Sequence, residues 1–238
     1  MKAGSTAALT VALMLAAPAS PAALAAFSSA AAGAVPPPWR VVTLPKQPRH
    51  TRYEIVSFEG TTVLRVTANA SYANLLHPLA GEPAQRLHWR WRVDRPIERA
   101  NLRRKEGDDV PARVCVLFDL PLDRLKMSDR LRVQVGRALF DPSLPAASIC
   151  YVWDNRLAPD TWLANAYTDR VQMLVLRQGS YGNWFEEVRD LAADFARAFP
   201  YEARGGTPPL AAIGVSADAD NTGGTSLAYF GDVRVEAK

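Results

Sequence analysis

The sequence predicts a mainly β protein, an antiparallel β-sandwich of the jelly-roll type with one short helix. Apolar and polar residues alternate at a period of two along residues 87–93, as in a half-buried strand whose successive side chains face opposite sides of a sheet. Other apolar runs are short, rich in β-forming residues and separated by turn residues. Strict alternation of strands and helices is missing, which argues against a doubly wound α/β fold.

The individual strands follow from local patterns. Residues 53–58 and 61–67 are predicted to form a hairpin, because only the turn-forming pair Glu59-Gly60 separates two β-prone runs. Strands buried between two layers are predicted by more continuously apolar runs, at residues 113–118, 171–176 and 210–215. Trp89 and Trp91 share the apolar face of their strand and are assigned to the core.

One helix is predicted near residues 190–199. Leu191, Phe195 and Phe199 are spaced four apart and would form its buried face. Asp190 stands where an N-cap is expected, and Pro200 ends the helix.

The N-terminus has the pattern of an export signal. An apolar stretch at residues 7–17 precedes small residues, and residues 23–25 fit the A-x-A pattern that signal peptidase recognises. Such a stretch rises only about 16 Å as a helix, which is too short to span a bilayer. A retained anchor or an Ala-rich tail is the alternative. The chain is thus divided into a signal peptide (1–25), a flexible Ala- and Pro-rich lead-in (26–38) and a single domain (39–238).

Composition limits the possible functions. The 238 residues include 48% hydrophobic and 22% charged residues, which excludes a disordered chain. A formal net charge of +4 is too small an excess to support nucleic-acid binding. No stretch of the mature chain reaches the length of a transmembrane helix, so a periplasmic or secreted protein is expected.

The two cysteines, Cys115 and Cys150, are compatible with one disulfide in an exported protein. The alternative is a pair of small buried thiols, since free cysteine packs as an apolar residue. The choice depends on whether the two Cα atoms lie within reach of each other.

A charged run at residues 103–109 forms the first candidate site. Lys105, Glu106, Asp108 and Asp109 would present an ammonium group and carboxylates to a sugar or a cation from a loop at the end of the sandwich. The alternative is a solvated charged turn.

A second candidate site follows Cys150. Trp153 would stack on a sugar ring, and Asn155 would donate hydrogen bonds to its hydroxyl groups. The alternative is that Tyr151 and Trp153, which share a face, are both core residues.

The third candidate site lies at residues 218–224, after an apolar strand. Its candidate ligands are Asp218, Asp220, Asn221 and Thr222. Asp218 and Asp220 would hold a hard cation such as Ca²⁺. The loop is not an EF-hand, because Tyr229 stands where the bidentate Glu is required. The alternative is a turn in which the Asp and Asn side chains accept from the local backbone.

These segments together resemble a bacterial family of exported proteins known as domain of unknown function 3047. The resemblance runs from about residue 39 to residue 235 and depends on Trp89-Arg90-Trp91 and on several further segments, at residues 103–109, 113–119, 151–153, 167–171, 189–191 and 218–222. It implies an exported single-domain protein and no established activity. Cys115 and Cys150 depart from the family pattern, so the resemblance does not imply a disulfide. Residues 229–235 also look like the last strand of jelly-roll carbohydrate-binding modules, a likeness of fold alone.

Three functions are compatible with this pattern. The first is an envelope binding module for a glycan-like or other polar small-molecule ligand. The second is a carbohydrate-active hydrolase or lyase that takes a carboxylate pair from Glu106, Asp108, Asp109, Asp119, Asp218 and Asp220. The third is a structural module whose basic strand face meets an acidic partner, through His88, Arg90 and Arg92.

Overall fold

The computed structural model describes residues 24–45, 47–139 and 145–236. Residues 1–23, which hold most of the predicted signal peptide, lie outside the described residues. Within the described ranges the chain forms thirteen strands and two α-helices, so the prediction of a mainly β protein is confirmed. None of the helices in this part of the chain is long and apolar enough to cross a membrane.

Seven strands form the first sheet. In spatial order they are β1 (Arg40–Val42), β4 (Asn74–Glu82), β11 (Leu210–Asp218), β6 (Val110–Phe118), β7 (Ala147–Asp154), β9 (Val171–Gln178) and β8 (Trp162–Ala164). The second sheet holds β10 (Phe185–Asp190), β5 (Arg86–Arg95), β12 (Thr225–Phe230), β3 (Thr61–Asn69) and β2 (Arg52–Phe58) in that order, and β13 (Arg234–Glu236) also pairs with β5.

The expected purely antiparallel arrangement is wrong at one pair of strands, because β7 and β9 are parallel. After β7 the chain passes the position of β9 to the edge of the sheet, where it forms β8. It then returns as β9, antiparallel to β8, between β8 and β7. The first sheet is therefore mixed, whereas the second is antiparallel.

The core lies between the two sheets, where large aromatic side chains of β5 and β7 meet. The ring centroids of Trp91 and Trp153 are 5.5 Å apart, and those of Trp89 and Tyr151 are 5.3 Å apart. All four side chains are buried. The alternation along β5 therefore has the cause that the sequence suggested: every second residue enters the space between the sheets.

The predicted helix corresponds to α2 (Leu191–Ala198), whose N-cap is Asp190. The Asp190 carboxylate accepts hydrogen bonds from the backbone N–H groups of Ala192 and Ala193, as an N-cap should. The prediction of a single helix is wrong, because α1 (Met127–Leu139) is a second one. Its apolar residues Met127, Leu131 and Val135 are spaced four apart, as in a helix, but mainly polar residues separate them, so the sequence showed no broad apolar face of the kind that predicted α2.

Residues 26–38, expected to be a flexible lead-in, lie against the domain. Phe27 is fully buried, with its ring centroid 5.0 Å from that of Trp39. The Trp39 indole N–H donates to the carbonyl of Ala25, and Gly33 and Ile55 exchange backbone hydrogen bonds. The segment is therefore fixed at its start, middle and end.

Candidate ligand-binding cleft

A cavity of about 590 Å³ opens on the face of the seven-stranded sheet that points away from the core. Side chains at alternate positions of β6 enter it, because their neighbours in sequence point into the core. The residues from the sheet and its edges that line the cavity include Leu76, Arg113, Cys115, Leu117, Ser148, Cys150, Val171 and Asp218. We call this cavity the cleft.

A disulfide forms part of the floor of the cleft. Cys115 of β6 and Cys150 of β7 are directly opposite each other in the strand register and are joined by a disulfide. They belong to an apolar cluster on this side of the sheet that also includes Val152 and Met173. The middle of the cleft is therefore apolar.

Arg113 lies at one end of the cleft, where the surrounding side chains are polar. Its Nε donates to Oγ of Ser216 at 2.6 Å, and one Nη lies 3.4 Å from Oδ2 of Asp218. Its guanidinium carbon is 5.0 Å from the ring centroid of Tyr72. A buried guanidinium fixed on three sides gives this end of the cleft a positive charge that cannot swing away into solvent.

Three carboxylates converge beside Arg113. Asp109, Asp218 and Asp220 each place one oxygen within 4.8 Å of the others. Asp220 accepts a hydrogen bond from the Gln47 amide at 2.9 Å. Asp218 is buried, and its Oδ1 has no hydrogen-bond partner among the described residues.

Asp109 fixes the loop that follows β11. Its two oxygens accept from the backbone N–H groups of Asn221 and Thr222 and from the Thr222 hydroxyl. Because Asp109 precedes β6 and these partners follow β11, the bonds unite two of the three candidate sites that the sequence indicated. This is possible because β6 and β11 are antiparallel neighbours, so the start of one strand meets the end of the other.

A loop at residues 165–170, which no sequence motif marked as a candidate site, completes this end of the cleft. Asn165 donates to Asp108 at 2.6 Å. The Tyr167 hydroxyl accepts from the Asn221 amide at 2.8 Å, and the same amide donates to the carbonyl of Lys105. The only indication in the sequence was that part of this segment contributes to the family resemblance.

Burial changes the acidity of two of the carboxyl groups. Burial raises the pKa of Asp218 well above its ordinary value, although the Arg113 guanidinium acts in the opposite direction. The pKa of Asp108 is also raised, again chiefly by burial. Both carboxylates are therefore less stable as anions here than they would be in water, and the binding of a proton or a cation would reduce this cost of burial.

Lys105 and Glu106 contribute less to the cleft. Both lie exposed on the 3₁₀ turn Lys105–Gly107. Lys105 is tied to the site through its backbone carbonyl, with its ammonium nitrogen 5.3 Å from the centroid of the Tyr167 ring. Asp119 lies beyond the other end of β6, about 30 Å along the strand from the acidic cluster. It therefore cannot pair with those carboxylates.

The prediction that Trp153 and Asn155 form a platform for a sugar ring is wrong. Trp153 is fully buried between the sheets, and its indole N–H donates to the carbonyl of Gly179. The Asn155 amide donates to the carbonyls of Ile97 and Glu98 and so fastens a loop. The parity of β7 is the physical reason, since Trp153 points to the core whereas Cys150 points to the cleft.

The basic face of β5 lies on the outside of the second sheet, and its side chains have partners there. Arg92 forms ion pairs with Glu59 and Asp94, at 2.7 and 2.6 Å. Arg90 lies 4.7 Å from the ring centroid of Trp184, and His88 lies 3.3 Å from Glu236.

The chain belongs to the family described as "Protein of unknown function (DUF3047)", which matches residues 37–234. No curated protein matches the sequence. Among solved structures, the chain is similar to "Cellulose induced protein, Cip1", with 10% identity and a TM-score of 0.38. That match covers 84% of this chain and 91% of the other.

Proposed function

We propose that this protein is an envelope binding module whose cleft holds a glycan-like or other polar small molecule. The observation that carries the proposal is the convergence of three separate loops on the Arg113 end of the cleft. These loops, at residues 105–109, 165–170 and 218–224, bring together carboxylate, amide, phenol and guanidinium groups. A cavity of about 590 Å³ lies within the range of small-molecule sites.

The distribution of polar and apolar surface fits such a ligand. Leu76, Leu117 and the disulfide form an apolar floor, and the polar groups are concentrated at one end. A sugar has both kinds of surface, since its ring carbons are apolar and its hydroxyl groups donate and accept hydrogen bonds. The polar end would therefore orient the ligand while the floor covers its apolar face.

A divalent cation such as Ca²⁺ is part of this proposal, with Asp218 and Asp220 as ligands and Asp109 completing the set. Hard cations prefer carboxylate oxygens at about 2.3–2.6 Å, so oxygens on opposite sides of one ion are about 4.8 Å apart. The three carboxylates meet that limit. Oδ1 of Asp218 accepts from no donor among the described residues and its carboxyl group is close to that of Asp220, so a cation between them would stabilise a buried charge that Arg113 compensates only in part.

The jelly-roll connectivity and the export of the protein belong to the same proposal. The strand orders β3-β12-β5-β10 and β4-β11-β6-β7 interleave early and late strands, as two Greek keys do. The disulfide is compatible with an oxidising compartment, periplasmic or extracellular.

The test is a thermal-shift titration, first with Ca²⁺ against EDTA and then with soluble glycans and peptidoglycan fragments. A ligand at a hundred times its dissociation constant adds about 2.7 kcal/mol to folding, which is a shift of a few degrees for a domain of this size. Asp220→Asn should abolish the Ca²⁺ shift. Asp123→Asn, which changes an exposed carboxylate on another turn, should leave it intact. The absence of a shift with Ca²⁺ and every glycan would refute the proposal.

A second function, acid–base cleavage of a saccharide, is favoured by the raised pKa of Asp108 and of Asp218. A carboxyl group whose pKa is raised keeps its proton to a higher pH than in water, which is the property that a general acid requires. Release of new reducing ends or unsaturated products from a bound polysaccharide, lost in Asp108→Asn, would establish catalysis. Binding without any product would leave the protein as a binding module.

A further inference from the structure

Helix α1 turns its apolar side toward solvent. Met127, Leu131 and Val135 are 82%, 62% and 47% exposed, whereas Val133 is buried. The three exposed residues are four apart and therefore form one stripe along the helix. A surface helix normally has the opposite arrangement, with its apolar stripe against the core. We call Met127, Leu131 and Val135 the outer stripe.

Basic residues border the outer stripe on both sides. At 100° per residue, Arg130 lies on one side of Leu131 and Arg132 on the other, and both are exposed. Lys126 immediately precedes the helix. Arg132 forms ion pairs with Asp129 at 3.6 Å and with Asp169 at 3.5 Å, whereas Arg130 and Lys126 provide positive charge that these two carboxylates do not offset. An apolar stripe between basic borders is complementary to an apolar layer under an anionic surface.

We infer that the outer stripe of α1 docks on an anionic membrane surface. The helix would lie in the plane of the headgroups, with the three apolar side chains entering the acyl boundary. Arg130 and Lys126 would extend to the lipid phosphates while their aliphatic stems remain in contact with the apolar layer, and Arg132 would add a contact on exchanging a carboxylate partner for a phosphate. At about 20 Å in length, α1 would lie along the surface and would not cross the bilayer.

The charges favour a membrane over a second copy of the chain. Two copies joined through the outer stripe would bring Arg130 and Arg132 of one helix close to the same residues of the other. Like charges at such an interface repel each other. An anionic surface converts the same residues into favourable contacts.

The position of α1 connects this surface with the cleft, although the inference does not depend on the proposed ligand. Arg132 lies 3.5 Å from Asp169, in the loop whose Tyr167 and Thr168 line the cleft. A protein docked through α1 would therefore hold this side of the cleft close to the membrane.

Vesicle co-sedimentation tests the inference with the full chain. The vesicles contain phosphatidylcholine alone or phosphatidylcholine with phosphatidylglycerol, at low and high salt. The proteins are the wild type, Leu131→Gln/Val135→Gln and Arg130→Glu/Arg132→Glu. Val188→Gln is the matched control, because Val188 is an aliphatic residue on β10 that is 53% exposed. All four proteins share residues 1–23, so only differences between them are interpreted.

We expect wild type and Val188→Gln to bind anionic vesicles equally, and more weakly at high salt. Each double variant should reduce partitioning by about tenfold or more, since it removes two apolar or two cationic contacts. Equal binding by all four proteins, or binding without preference for the anionic lipid, would overturn the inference. A dimer of the wild type that dissociates in Leu131→Gln/Val135→Gln would also overturn the inference, because the outer stripe would then bind a second copy of the chain. Binding to polyglutamate but not to vesicles would likewise overturn it in favour of an acidic protein.

Discussion

Arg113 and Asp218 face each other across neighbouring antiparallel strands, with an Nη of the guanidinium 3.4 Å from Oδ2 of the carboxylate. Both side chains are about nine-tenths buried. Arg113 also donates to Ser216, whereas Oδ1 of Asp218 has no partner in the described part of the chain. The pair therefore joins two neighbouring strands of the seven-stranded sheet at the polar end of the cleft.

Removal of the guanidinium should destabilise the protein strongly. Arg113→Met leaves the buried Asp218 without its compensating charge, and a buried pair broken on one side typically loses about 3–5 kcal/mol of stability. Urea unfolding measures the change. Arg113→Met/Asp218→Asn should recover much of that loss, because no uncompensated charge remains. Additive effects in this double-mutant cycle would show that the two residues are not coupled.

The stability should depend on pH through Asp108. Burial raises the pKa of this carboxyl above its ordinary value of 3.8, so the folded state binds more protons than the unfolded state once the pH exceeds that value. By linkage, the contribution of Asp108 to folding then decreases as the pH rises toward the raised pKa. In EDTA, wild type should therefore lose stability relative to Asp108→Asn between low and neutral pH.

Unfolding free energies measured across this pH range, with Asp123→Asn as the exposed control, test the direction. The burial argument would be contradicted if the difference in unfolding free energy between wild type and Asp108→Asn stayed constant as the pH rises. It would also be contradicted if wild type became more stable relative to Asp108→Asn. Addition of Ca²⁺ at neutral pH should reduce the difference if the cation occupies the neighbouring cluster.

Local patterns predicted most of the strands because their causes are local. The alternation along β5, the turn at Glu59-Gly60 and the cap at Asp190 each depend on residues close in sequence. The parallel pairing of β7 and β9 depends on the path of the chain between them, which runs to the edge of the sheet, forms β8 and then returns. No local sequence pattern indicates this path.

The candidate site shows the same division between local and distant causes. The residue types of the two acidic loops indicated a polar site, but their union depends on the pairing of β6 with β11. The face occupied by Trp153 depends on the register of β7, and a shift by one residue would have placed it in the cleft. From the sequence alone, Trp153 could be assigned either to the core or to a binding site.

Loss of the disulfide should lower stability without changing the fold. A bridge across a separation of 35 residues contributes about 4 kcal/mol by the chain-entropy estimate. Cys115→Ala/Cys150→Ala should therefore melt several degrees lower than wild type, as calorimetry would show. Reductant should lower the melting temperature of wild type and leave that of the double variant unchanged. Equal responses of the two proteins to reductant would show that the cysteines are not bridged in solution.

Trp153 and Tyr167 should separate stability from binding. Trp153→Phe leaves a void in the core between the sheets and should reduce the free energy of unfolding by about 1–3 kcal/mol, with little effect on ligand affinity. Tyr167 lines the cleft and is 58% exposed, so Tyr167→Ala should weaken the binding of Ca²⁺ or glycan with little change in stability. Urea unfolding and calorimetric titration on the same two variants give both quantities. A loss of ligand affinity in Trp153→Phe without a loss of stability would contradict this assignment. It would show that Trp153 contacts the ligand, because a residue buried in the core should change the stability before it changes the affinity.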